Sequence, residues 1–303
     1  MAYGAAHEIV YDSGKGEILI SSGTPNGEGE TPTVTVISDS TNAVLTTITS
    51  KSWWTPMGMA YDSGKGEIFL TDAGNKGNVL GAVYVISDSD NSIVTSIQVG
   101  SYPAQAVYDS AKSEIFVVNE GGTVSVISDS TNSLVATINV GTYPYGIAYD
   151  HSKGEVFVYN ENAGSVSVIS ESTNTVVATV TGVAASTIHP YTIAFDSSKG
   201  ELFVSDSVIS YSTNAIVANL PSGLGNTVYN SGKGEVFDVS STGLSVFSDT
   251  SSPSSTTTAA PSPTVPEFSS SMLFAISSAM IVVTICAIAI MRRKSVQPFS
   301  TSK

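Results

Sequence analysis

Three observations predict an all-β fold for this 303-residue chain, a β-propeller with six recognisable four-stranded blades. One phrase recurs six times: YDSGKGEIL from Tyr11, YDSGKGEIF from Tyr61, YDSAKSEIF from Tyr108, YDHSKGEVF from Tyr149, FDSSKGELF from Phe195 and YNSGKGEVF from Tyr229. A second phrase follows each one: VISDSTN from Val36, VISDSDN from Val85, VISDSTN from Val126, VISESTN from Val168, VISYSTN from Val208 and VFSDT from Val246. No helical period interrupts them before residue 268. Self-similarity at a period of about 40–50 residues, in short β-rich runs, is the signature of propeller blades.

The fourth unit shows the elements in order. YGIAYD, GEVFVYN, SVSVIS and TVVATV are runs rich in Val, Ile, Phe and Tyr, each bounded by turn residues. The middle runs are apolar throughout, as expected when blades pack face to face and bury both sides of a strand. The fifth unit is compressed between Glu201 and Asn214 and lacks the loop between its second and third runs. The sixth, from Val228, has no fourth run, and Met1 begins at the first run of unit one. A closing strand is what removes exposed sheet edges. An upstream stretch would supply that strand, a seventh blade and a secretion signal, because Met1–Glu8 is neither basic nor apolar.

The recurring order of P-x-G-x-A-Y-D, E-x-F-V, V-S-V-I-S-x-S-T-N and V-V-A-T-I resembles the YVTN-type β-propeller repeat family, best between Tyr143 and Val180. The resemblance covers about residues 3–250. It implies a secreted or surface protein, archaeal or bacterial, without enzymatic activity. Val265-Pro266-Glu267-Phe268, the apolar stretch and the basic cluster after it resemble an archaeal PEF-type sorting signal. That resemblance implies cleavage near Pro266.

Four segments follow. Residues 1–248 form the propeller and 249–267 a Ser/Thr/Pro-rich stalk, O-glycosylated by its composition. Within 268–291, Ser271 to Met291 is uncharged, and at 1.5 Å per residue such a helix spans roughly 30 Å, a bilayer core. Its alternative reading is a buried core helix. Arg292-Arg293-Lys294 begins the basic tail 292–303 and places it on the cytoplasmic side, with the propeller outside. A tail-anchored cytoplasmic body is the alternative.

Charge narrows the function. All 26 acidic residues lie at or before Glu267, against eight lysines and no arginine in the same stretch. Nucleic acid would be repelled. Such a body is expected to use divalent cations as bridges to anionic surfaces. One cysteine, Cys286, allows no internal disulfide, and with three histidines it leaves little for a nitrogen/sulfur metal site. No G-x-S-x-G, P-loop, H-E-x-x-H or C-x-x-C occurs. No cofactor, catalytic residue or metal ligand is expected.

Alternation of antiparallel strands puts the first-to-second and third-to-fourth turns on one face. That face is uniform: Lys falls three and Glu five after each Asp or Asn, as at Asp12/Lys15/Glu17. The pattern predicts a hairpin in which Asp caps amides, Gly takes positive φ and Lys meets carboxylates at the strand mouths. A calcium loop is the alternative, and a lysine in its middle opposes it.

The other face varies, as binding faces do. Its inter-blade links carry aromatics beside proline: Trp53-Trp54-Thr55-Pro56, Tyr102-Pro103, Tyr143-Pro144-Tyr145 and His189-Pro190-Tyr191. Aromatic faces suit sugar rings or peptide side chains at low entropic cost. The expected ligand-binding residues are therefore Trp53, Trp54, Tyr102, Tyr143, Tyr145, His189 and Tyr191. The alternative is that these rings only wedge between blades. The expected function is non-enzymatic binding or structure at the cell surface, through glycan or protein (adhesion or surface-layer association). The alternative is a propeller hydrolase or lyase acting on surface polysaccharide.

Overall fold

The structure, a computed structural model, describes residues 5–23, 31–74, 81–183, 193–196, 199–220, 226–230, 235–240 and 243–248. It is all-β. The first sheet holds β1 (Ala5–Asp12), β2 (Glu17–Gly23), β3 (Thr33–Ser38) and β4 (Val44–Thr49). The second holds β5 (Pro56–Asp62), β6 (Glu67–Asp72), β7 (Ala82–Ser87) and β8 (Ile93–Gln98). The third holds β9 (Pro103–Asp109), β10 (Glu114–Asn119), β11 (Thr123–Ser128) and β12 (Ser133–Asn139). The fourth holds β13 (Pro144–Asp150), β14 (Glu155–Asn160), β15 (Ser165–Ser170) and β16 (Thr175–Thr181). The shorter fifth holds β17 (Ala194–Asp196), β18 (Glu201–Val204), β19 (Ser207–Ser210) and β20 (Ala215–Asn219). The last, β21 (Asn226–Asn230), β22 (Glu235–Ser240) and β23 (Gly243–Ser248), has three strands among the described residues. Each sheet is an antiparallel meander in chain order, which fits a propeller blade. The apolar segment at 268–291 lies outside the described residues.

Apolar cores lie between successive sheets. Leu19 and Val36 of the first meet Ile68 and Leu70 of the second. Phe69 and Val85 meet Ile115 and Val117. Phe116 and Val126 meet Val156 and Val158. Phe157 and Val168 meet Leu202 and Ile209, and Phe203 meets Val236. The second strands of the second, third and fourth sheets are therefore buried on both sides, and this is why E-x-F-V reads as continuously apolar. First strands of successive sheets lie side by side, and fourth strands face outward.

Each fourth strand carries a β-bulge at the same place. Val85 pairs with Thr95 but Ile86 with Ile93, so Val94 is the extra residue. Leu45, Val135, Val177 and Val217 take the same place in the other sheets. All five are 51–55% exposed. A bulge on the outermost strand disrupts the ladder that another strand could join.

The uniform turns form as the residue pattern requires. Asp12 Oδ1 accepts from the Gly14 and Lys15 amides, Asp62 Oδ1 from Gly64 and Lys65, and Asp109 Oδ1 from Ala111 and Lys112. Gly16, Gly66, Gly154 and Gly200 take φ near +70°, and Ser113 does so at +59°. In the third-to-fourth turns the recurring Asn (Asn42, Asn91, Asn132, Asn174 and Asn214) also sits at positive φ, which its short amide tolerates. The expectation that the lysines meet carboxylates holds at Lys65, and the lysines also make a contact it did not include. Lys15, Lys65 and Lys153 reach into the next sheet and donate to the carbonyl oxygens of Asp88, Asp129 and Tyr211. Lys65 also meets a carboxylate of its own hairpin, Glu67, at 2.9 Å.

Candidate functional site

In the second, third and fourth sheets, the link that enters the first strand is held by the last residue of the second strand. Asp72 Oδ1 accepts from the Thr55 amide at 2.7 Å and Oδ2 from the Trp54 amide at 3.0 Å. Asn160 Oδ1 accepts from the Gly141 amide at 3.0 Å, while its Nδ2 donates to Ser165 and Ser167. Asn119 Nδ2 donates to Ser125 Oγ, which in turn accepts from the Gly100 amide. Three buried side chains thus fix three links, and with them the aromatics that the links carry.

Tyr102 and Tyr143 both stand at φ +54°, immediately before proline. An aromatic residue meets a steric penalty there, and a following proline further disfavours the helical regions. The conformation makes one backbone bond in each link: Tyr102 O accepts from the Glu120 amide at 3.0 Å and Tyr143 O from the Glu161 amide at 2.9 Å. The second sheet makes the same bond, Ala73 amide to Thr55 O at 2.9 Å, with Thr55 in place of the tyrosine. Both tyrosine side chains remain partly exposed. Tyr143 also lies 6.4 Å, ring to ring, from Tyr145.

The tryptophan pair divides. Trp54 is 44% exposed. Trp53 is 3% exposed and belongs to the core between the first two sheets, edge-on to Tyr84 at 5.9 Å. Tyr84 donates to Ser52 O, and burial with the nearby Asp72 carboxylate raises its phenol. Trp53 is thus a wedge rather than a contact surface, and Tyr145 is likewise buried. His189 and Tyr191 lie outside the described residues. Of the seven aromatic and histidine candidates, Trp54, Tyr102 and Tyr143 are the ones whose side chains reach solvent among the described residues.

A second group of residues was not singled out by sequence. Glu8 on β1 and Gln105 on β9 meet at 3.2 Å, although their sheets are not successive, and Gly58 of β5 lies against the Gln105 backbone. Burial raises the Glu8 carboxyl to about 7, although the Ile9 amide and Gln105 donate to it. Beside it His7 is lowered by burial. The sequence signal they share is a register match: Glu8 and Gln105 each stand three residues before the tyrosine of their unit.

Among the described residues, no group of three or more His, Cys, Asp and Glu could hold a metal ion. No helix among them is long and apolar enough to cross a membrane. The chain matches no family model and no curated protein.

Proposed function

We propose that the chain is a β-propeller of the YVTN repeat type that binds a glycan or protein ligand at a cell surface. The contact residues are Trp54, Tyr102 and Tyr143. The observation that carries this reading is the matched strain of Tyr102 and Tyr143. Strained backbone at bulky residues concentrates at functional sites, where the surrounding structure over-determines it. Here buried Asn160, and buried Asn119 acting through Ser125, support that determination. Flat, stiff rings on a varied loop face offer contact area at little entropic cost. The anchor at 268–291, the outward-facing propeller and the stalk belong to the same proposal, which predicts that the face is held away from the membrane.

The test is binding of the purified full chain to polysaccharide and glycopeptides prepared from the cell envelope of its source. Trp54→Ala, Tyr102→Ala and Tyr143→Ala should each weaken binding about three- to tenfold, on the order of 0.5–1.5 kcal/mol per stacked ring. Unchanged affinity in all three folded variants would reject this face as the site.

A further inference from the structure

The outer wall of the molecule repeats one arrangement on its fourth strands. At each bulge two successive residues stand where the partner strand offers one, and an aliphatic side chain is turned outward. The outward chains are Ile93 and Val94 on β8, Leu134 and Val135 on β12, and Val177 on β16, all 38–55% exposed. Val44, Leu45 and Val217 take the same place on β4 and β20. β12 comes within 8 Å of β8 on one side and of β16 on the other. The outer strands of the second, third and fourth sheets therefore form one continuous wall, crossed by a strip of aliphatic chains.

Folding does not require aliphatic residues at these positions. The other exposed positions along the same strands are polar: Ser96, Gln98, Thr137, Asn139, Thr179 and Thr181. Single apolar residues scattered on a surface are ordinary, whereas a contiguous set marks a place of contact. The wall also lacks charge. β4, β8, β12, β16 and β20 read VLTTIT, IVTSIQ, SLVATIN, TVVATVT and AIVAN, without Asp, Glu, Lys or Arg. Yet residues 1–267 hold 26 acidic residues and eight lysines. Edge strands commonly carry charge, lysine above all, to keep other molecules away. Here the bulge alone guards the edge, and it guards only the backbone ladder.

We propose that this wall is where two copies of the chain meet, with the strips of β8, β12 and β16 packed against each other. Charge selects the occupant. Two copies of so acidic a body repel each other, and they do so least where the touching surfaces carry no charge. The uncharged wall lets them approach without setting like charges in contact, and the aliphatic chains supply the attraction. A cationic partner would be drawn to the acidic surfaces and would find no carboxylate on these strands. The bulges block strand-to-strand hydrogen bonding, so the walls meet through side chains and do not merge into one sheet. A two-fold arrangement places the same strip on both sides. The strip is narrow beside the roughly 1,200–2,000 Å² that a stable interface buries, so the pairing is reversible. It uses none of the residues assigned to ligand contact.

Salt gives the sign. The contact itself contains no ion pair, while the acidic bodies behind it repel, and Asp90 stands exposed in the turn that leads into β8. Raising the ionic strength from about 0.1 M to about 1 M shortens the screening length from about 10 Å to about 3 Å. Pairing through the wall therefore tightens with salt. A contact made by ion pairs would loosen.

The test is sedimentation equilibrium of the full chain in mild detergent, from about 1 μM to about 100 μM. The wild type should show a reversible monomer–dimer equilibrium that tightens with salt. Val94→Glu/Val135→Glu/Val177→Glu sets like charges against each other across the wall and should weaken the dimer by at least about tenfold. Should that variant fail to fold, Val94→Thr/Val135→Thr/Val177→Thr, which extends the polar row to the bulges, is measured in its place and should also weaken the dimer. A wild-type chain that stays monomeric at every concentration leaves the wall to another partner and overturns the proposal. Equal association of the wild type and the folded variant would place the contact on another segment, 268–291 included, and overturns it as well. An affinity that falls with salt does the same.

Discussion

Phe195 and Tyr211 of the fifth sheet stand ring against ring, with centroids 5.6 Å apart. They occupy the two positions where the second, third and fourth sheets pair a tyrosine hydroxyl with a carboxylate. Both partners have changed together. Without a phenol at 195, a carboxylate at 211 would have no donor on that side. Tyr211 instead offers its ring, and the Lys153 ammonium sits 4.1 Å above it. A cation over an aromatic face contributes roughly 0.5–2 kcal/mol, depending on its exposure. Tyr211→Asp alone should cost about 2 kcal/mol, through lost ring packing and a carboxylate without a phenol donor at 195. Adding Phe195→Tyr should recover at least about 1 kcal/mol of coupling in urea unfolding at about pH 5. Strictly additive losses would show that the two positions act independently.

Glu8 carries a pH prediction of its own. Its carboxyl is raised to about 7, first by burial. Stability due to its protonated form is full below the unfolded value of 4.5 and is lost as pH rises through about 7. Glu8→Gln keeps an acceptor for the Ile9 amide and removes the charge. It should leave stability at about pH 5 nearly unchanged and raise it at about pH 8 by about 2 kcal/mol, each pKa unit being worth about 1.4 kcal/mol. Urea midpoints at the two pH values measure this. A variant less stable than wild type at the higher pH would mean that the buried carboxylate is better solvated than its surroundings imply.

Most of the strand plan was legible in the sequence because its determinants are local. The turn Asp binds amides two and three residues on, and Gly and Asn mark the positive-φ positions of the two hairpins. The bulges were not legible, because an apolar pair such as Leu134-Val135 within a strand reads as a buried run, yet both side chains are exposed. The site was half legible. Tyr102 and Tyr143 could be placed on the variable face, but a residue before proline prefers extended backbone, so their positive φ was not foreseeable. Trp53 looked like its neighbour, and only packing against Tyr84 separates a wedge from a contact. Glu8 and Gln105 are 97 residues apart and meet only through the stacking of three sheets.

That stacking can be tested at one glycine. A Cβ on Gly58 would lie 2.5 Å from Ala104 O and 2.7 Å from Gln105 Cα. Both are backbone atoms of the neighbouring sheet, so no rotamer change relieves the clash. Gly58→Ala must push β5 and β9 apart, at a cost of about 1–3 kcal/mol. Gly64 is the control, since a Cβ there would first meet a turn side chain, Asp62 Oδ1 at 3.1 Å, and the third sheet already carries Ala111 at the matching position. Gly64→Ala should stay within about 0.5 kcal/mol of wild type. Thermal unfolding of the two variants side by side separates the effect of close sheet approach from that of glycine itself. Equal losses would show that the spacing of the first strands does not limit stability.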